Sequence, residues 1–228
     1  MLTNAILHDA DIKSYTSVHI SAVDINEAFI NHNLASIAAM SPRDGIKIDT
    51  AVMNGMDLHF PNDTFDISFT SIAIFAFPDP VKGARELYRT LKPGGIAALT
   101  TWKHVGWLPL LHEVEQLVWP GKALTQFPFL DAWTVPGKLA SVLREGGFTD
   151  VVEGEVVSYA WFEGEEKAAE SVSETLKLLV GSGWGEVEWE EMREGIRRVL
   201  AAGSEFVKRG EGGKVGFEMV AWTGVGRK

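Results

Sequence analysis

The sequence contains no cysteine, so neither a disulfide framework nor a thiolate metal site can form. Its six histidines are scattered and none falls into an HExxH spacing, so no metal is expected. Cationic side chains are in short supply: 21 Lys and Arg stand against 31 Asp and Glu, a formal charge of -10. A chain of that sign lacks the clustered cations that neutralise a phosphate backbone. A small molecule is therefore the expected partner, and nucleic acid is not. No basic segment leads into an apolar stretch at the N-terminus, and no run approaches the roughly 18 apolar residues of a membrane span. A soluble, cytoplasmic protein with no membrane partner is expected. What the chain does have is apolar side chain, 46% of 228 residues, enough to bury one large core. A single domain over 1-228 is the expectation.

Alternation of short apolar runs with helical spacing sets the fold class. Val18 to Val23 reads as a strand that stops at Asp24, and a helical stretch follows to about Met40. Ile46 to Met53 reads as a second strand, and Phe65 to Phe75 as a long buried one after the Pro61-Asn62-Asp63 turn. Val81 to Leu91 has helical spacing and runs into Lys92-Pro93-Gly94-Gly95, where the glycines read as a helix stop. Ile96 to Trp102 is the next strand. Strands joined by crossover helices imply a doubly wound α/β fold with a mostly parallel sheet. Further on, helices are expected over Trp107 to Trp119, Val135 to Glu145, Glu163 to Leu179 and Glu186 to Ala202. Two late strands, Val151 to Trp161 and Val215 to Val225, are expected to add an antiparallel edge.

The stretch from Asn54 to Trp102 carries a specific set of motifs. A polar tip, NG, ends one strand; PNDTFD turns into the next; and ELYRTLKPGG ends a helix and leads into the strand IAALTTW. In this order they resemble the class I methyltransferases that use S-adenosylmethionine. The segment TTWKHVGWLPLLHE is most similar to the fungal small-molecule branch, which goes with secondary metabolism. The resemblance implies a Rossmann-like methyltransferase sheet, S-adenosylmethionine as cofactor, and a set of cofactor-binding positions. Asp24 and Ile25 lie where the family holds the cofactor's ribose. Asn54, where the family usually carries Asp, would accept from the adenine amino group, and the backbone amide of Gly55 would donate to the ring. Ser71 and Ile72 would face the methionine portion. The ordinary alternatives are a capping aspartate at Asp24, a plain turn at Asn54-Gly55 and strand core at Ile72. Asp66 and Lys92 are expected to serve the fold.

One family element is not found. The glycine-rich turn that should lie about 20 residues before the ribose-binding acid has no GxG in this sequence, so the first strand is expected to be missing. Either the sequence is a truncated methyltransferase, or a short form closes the gap by direct strand pairing, by exchange with a second copy in a homodimer, or by docking a partner. A form without that turn is expected to bind cofactor poorly.

Methyl transfer asks an enzyme chiefly to align two reactants and exclude water. A base helps a hydroxyl acceptor, and His104 and His112, beyond the last parallel strand, are the candidates. Trp102, Trp107, Trp133 and Tyr159 are the candidate walls of an apolar substrate pocket, covered by residues 103-135 and 162-213. For each histidine and tryptophan, ordinary packing is the competing role. The expected function is methyl transfer to a small, largely apolar metabolite; the alternative is a non-methylating relative, a cyclase or isomerase or a pseudoenzyme completed by a partner. The acidic stretch from Glu186 to Glu191 reads as a solvated helix face.

Overall fold

The computed structural model describes residues 17–31, 34, 45–180 and 184–228. The segment from Met1 to His8, and nearly all of the expected helix beyond residue 31, lie outside them. The strands, in chain order, are β1 (Val18–Asp24), β2 (Ile46–Val52), β3 (Phe65–Ser71), β4 (Leu91–Val105), β5 (Thr149–Phe162), β6 (Lys208–Arg209) and β7 (Val215–Arg227). Labelled helices are α1 (Pro80–Thr90), α2 (Trp107–Val118), α3 (Pro128–Asp131), α4 (Lys138–Glu145), α5 (Glu165–Val180) and α6 (Glu186–Ala202). They form two compact units: Met1–Leu99 with Ala140–Val152 and Gly224–Lys228, and Thr100–Leu139 with Glu153–Thr223.

In the first unit β1 runs parallel to β2, and their register sets Val18 against Ile46 and Asp24 against Val52. These two strands make a sheet of their own, so among the described residues β1 does not pair directly with β3. The other sheet has the order β3-β4-β7-β5. The apolar run expected as one strand to Phe75 ends at Ser71, because Ile72 turns the backbone to φ 48° and a 3-10 turn, Ile74–Ala76, follows. Helix α1 then starts on Asp79, whose carboxylate accepts from Lys82 N at 2.8 Å, with Pro80 in the first turn. Its far end corrects the expected role of Gly94-Gly95. The helix stops on Leu91, already extended, and both glycines lie inside β4. Gly95 is needed there because a Cβ would come 2.8 Å from the Lys92 carbonyl oxygen.

The expected fold role of Lys92 and Asp66 is met by an ion pair of 2.8 and 2.9 Å between β4 and β3. Gly94 N donates to Lys228 O, Lys228 N to Gly95 O, and the Thr149 hydroxyl to Arg227 O. The end of β7 therefore meets the starts of β4 and β5, so β7 is antiparallel to both. Of the two late strands, β7 is the reversed one and lies inside the sheet, with β5 at the edge. Helix α1 packs on the turn after α4: Ala84 is fully buried at a spot where a Cβ on Gly146 would come within 2.6 Å, and Tyr88 meets Phe148 edge-on at 5.3 Å.

In the second unit the later part of β4, most of β5 and most of β7 carry helices α2, α5 and α6. Helix α6 buries Met192, Gly195, Ile196, Val199 and Leu200, the spacing of one helical face. It packs on α2 and α5. Gly195 costs helix propensity but lets α2 approach, since a Cβ would meet Val114 at 2.6 Å and Val118 at 2.8 Å. Glu188 reaches back to accept from Gly185 N at 2.7 Å, so the first-turn acids of α6 also serve its start.

Candidate functional site

The parallel register of β1 and β2 brings the segments after their carboxyl ends side by side. Met53 N donates to Asp24 O at 2.9 Å, which sets Asp24-Ile25 next to Asn54-Gly55. The Asp24 carboxylate accepts from Asn26 N at 2.8 Å, and it is Asn26 whose side chain caps the helical residues 27–31, accepting from Ala28 N at 2.9 Å. Asp24 thus stiffens a turn and is not the helix cap. Ile25 is 70% exposed, an apolar side chain presented to solvent at the tip of the strand. Asn54 builds a closed turn: its Oδ1 accepts from Met56 N and its carbonyl from Asp57 N, both at 2.9 Å.

Gly55 explains itself through Phe77. A Cβ on Gly55 would come 2.3 Å from Cζ of the Phe77 ring, and one on Gly83 2.5 Å from Cδ2 of the same ring. Phe77 follows β3, so its ring brings the end of that segment against Gly55. Ile72, a β-branched residue at φ 48°, holds a conformation that costs energy and that concentrates at functional sites. Ser71, beside it, is exposed at the end of β3.

The second unit contains a hollow of about 380 Å³ lined by Trp102, Trp107, Phe162, Val172 and Met219, with Ser158, Tyr159, Ala160, Ser171 and Thr175. Three of the four expected pocket residues, Trp102, Trp107 and Tyr159, thus share one cavity. Tyr159 touches it while its phenol turns to Glu218, donating to Oε2 at 3.1 Å, as strand alternation on β5 requires for a residue between Ser158 and Ala160. That carboxylate holds the phenol protonated, above the ordinary tyrosine range. The fourth, Trp133, is 4% exposed, does not line the hollow and carries the Lys138 ammonium 5.8 Å from its ring centre.

Neither expected base lines the hollow. His112 Nε2 lies 2.9 Å from Thr125 O and ties α2 to the following loop, while His104 is exposed. Sequence reasoning missed Ser158, Phe162, Thr175 and Met219. For Ser158, Ala160 and Phe162 the signal was available, since every second residue of β5 faces the same way. Among the described residues no group of three His, Asp or Glu is placed to hold a metal, and no helix is long and apolar enough to cross a membrane.

Comparison with known proteins points to methyltransferases. Residues 7–99 match the family described as methyltransferase domain. Through these residues, fewer than half of the chain, it is similar to methyltransferase domains. It is 22% identical over 158 residues to the methyltransferase tpcH of Aspergillus fumigatus, an alignment covering 66% of this chain and 54% of that protein. It is 26% identical over 153 residues to the 2-phytyl-1,4-naphtoquinone methyltransferase of Synechococcus elongatus, covering 67% of this chain and 55% of the relative. The chain thus spans about half the length of these curated relatives. Among solved structures, the [4+2]-cyclase SpnF covers 100% of this chain and 79% of its own at a TM-score of 0.51 and 14% identity. The methyltransferase fold is shared by that protein, so fold alone does not separate methyl transfer from cyclisation.

Proposed function

We propose that this chain uses S-adenosylmethionine to methylate a small, largely apolar metabolite. The observation that carries the reading is the pairing of Asp24-Ile25 with Asn54-Gly55 at the carboxyl ends of β1 and β2, where open α/β sheets bind ligands. The residues on these two strand ends fit the ribose and adenine of the cofactor, while the glycine-rich turn of the family has no counterpart in the sequence. A carboxylate offers about four acceptor sites, and the bond from Asn26 N leaves Asp24 room for both ribose hydroxyls. Ile25 offers apolar surface to the adenine. Asn54 Oδ1, with one lone pair on Met56 N, accepts the adenine amino group through the other. When bound, S-adenosylmethionine supplies an electrophilic methyl group.

The hollow in the second unit supports an apolar, ring-bearing acceptor. Its walls are indole, phenyl and thioether, and its polar groups are hydroxyls. Among the described residues its lining has no imidazole and no carboxylate, and the one titratable group there, Tyr159, is held protonated. Such a site does not remove a proton from a weakly acidic alcohol. It suits an acceptor that ionises on its own, such as a phenol or an enolisable carbonyl compound, with the proton leaving to water. The indoles and Phe162 hold the ring and exclude solvent around it. The charge of -10 supports a small molecule over a nucleic acid as substrate.

Isothermal calorimetry with S-adenosylmethionine and S-adenosylhomocysteine tests the cofactor half, and light scattering on the same sample tells whether one chain or a pair binds. Asp24→Asn is expected to weaken binding roughly tenfold, the loss of a charged acceptor. Trp102→Ala is expected to leave cofactor affinity intact while abolishing methylated product from a phenolic substrate. Folded chain that binds neither cofactor overturns the reading, and conversion of a metabolite without cofactor favours a cyclase or isomerase.

A further inference from the structure

A hydroxyl has one hydrogen to donate and lone pairs that accept, so where its hydrogen goes decides what it can offer a ligand. Helix α5 carries Ser171, Ser173 and Thr175 in close succession. Ser173 Oγ donates to Ala169 O at 2.7 Å, and Thr175 Oγ1 donates to Ser171 O at 2.9 Å. Each is turned back on the carbonyl four residues earlier, as hydroxyls inside helices often are. Ser171 is not turned back, and among the described residues its hydroxyl has no partner.

Ser171 and Thr175 both line the hollow of about 380 Å³, and one helical turn between them puts them on the same face of α5. Strand β5 adds Ser158, whose hydroxyl donates to Met219 O at 3.4 Å, and Tyr159, whose phenol donates to Glu218. Three hydroxyls of the lining therefore have their hydrogen engaged and can only accept. Among the described lining residues, Ser171 is the one with a hydrogen to give. No Lys, Arg, Asp, Glu or His stands among them.

A free donor and a free acceptor one turn apart match a ligand group that is both. A carbonyl or ether oxygen answers Ser171 but sets a lone pair against that of Thr175. An ammonium group leaves Ser171 unanswered and brings a charge that the lining does not balance. A phenolic hydroxyl answers both, and an aromatic ring behind it suits the walls of Trp102, Trp107 and Phe162. We infer that Ser171 and Thr175 are the specificity-determining pair of the hollow, Ser171 donating to, and Thr175 accepting from, the phenolic hydroxyl of the methyl acceptor. This rests on the hollow being the acceptor site, and it narrows the acceptor from ionisable compounds in general to phenols. Thr175 is exposed, so the proton it holds has water within reach when the oxygen is methylated.

The test is a fluorescence titration of the full chain, without cofactor, with 2-naphthol and with 2-methoxynaphthalene, which keeps the rings and the oxygen but has no hydrogen to donate. The naphthol is expected to bind roughly tenfold more tightly than its ether, because a polar site rejects an analogue that leaves its groups unpaired. Ser171→Ala and Thr175→Val should each weaken naphthol binding several-fold. Thr175→Val should leave the affinity for the ether unchanged or raised, so the ether reports whether the hollow of that variant is still intact. Equal affinity of the wild type for the two ligands, no binding of naphthol, or a Thr175→Val variant that loses both ligands alike would overturn the inference. Product assays with S-adenosylmethionine separate it from the reading it rests on. A preference for naphthol with no methylated product sinks methyl transfer and leaves the pair its role in binding; methylated naphthol without the preference sinks the pair alone.

Discussion

Gly55 shows how much a single missing Cβ can decide. The Phe77 ring lies between Gly55 and Gly83, and a methyl added at either would enter contact with it. A ring gripped from both sides cannot withdraw from one glycine without meeting the other. Gly55→Ala should therefore destabilise the fold by about 1–3 kcal/mol, the range for overpacking, read as a lower urea midpoint with unchanged slope. Phe77→Leu should reduce that penalty by freeing space, and if it does not, the clash is not the cause. The sequence singles out Gly55 only through the resemblance, as a backbone donor. Its steric partner lies 22 positions on, and no local pattern links the two. Asn54 is similar: its turn chemistry is legible, but not that Met56 N already takes its side-chain oxygen.

At the scale of elements, α1 shows what a motif is for. ELYRTLKPGG is readable as a helix end followed by a strand, while the reason for its glutamate and arginine lies in the loop they hold. Arg89 donates to Phe60 O at 2.7 Å, to Leu58 O at 2.8 Å and to both oxygens of Glu86 at 2.8 Å. Glu86 Oε2 also accepts from Leu58 N at 2.8 Å. The Arg89 guanidinium and the Leu58 amide hold the Glu86 carboxyl below the usual carboxylate range. A carboxyl depressed on folding contributes stability above its unfolded pKa and loses it as pH falls through the folded value. Glu86→Gln should thus cost about 1–3 kcal/mol at neutral pH, as for hydrogen bonds to charged groups. The gap from wild type should close as pH falls below a free glutamate's 4.5, which thermal melts across that range would follow. A constant gap would mean that shape, not charge, is what Gln fails to supply. Period and length gave most helices to within a few residues. They failed at Ile72, where an apolar run continues while the backbone turns, since hydropathy carries no record of φ.

At the scale of the whole molecule, the family match at residues 7–99 falls in the first compact unit, where the motifs are dense. The second unit was legible through periodicity and through the TTWKHVGWLPLLHE segment, which supplies Trp102 and Trp107 to the hollow, while the residues of β5 and α5 that complete it have no motif to announce them. Charge is the property that sequence reports most directly at this scale, yet its consequence depends on where the cations lie. Of the basic side chains, Lys92, Lys103, Arg197, Arg209, Lys214 and Lys228 each pair with a carboxylate, spread over both units. Cations so engaged are not free to replace the counterions along a polyanion. The chain should therefore pass unretained through heparin at pH 7 and moderate salt, and should not retard duplex DNA in a gel. Retention that weakens steeply as salt is raised would reveal a basic surface strong enough to outweigh the net charge of -10, and would reopen nucleic acid as a substrate class.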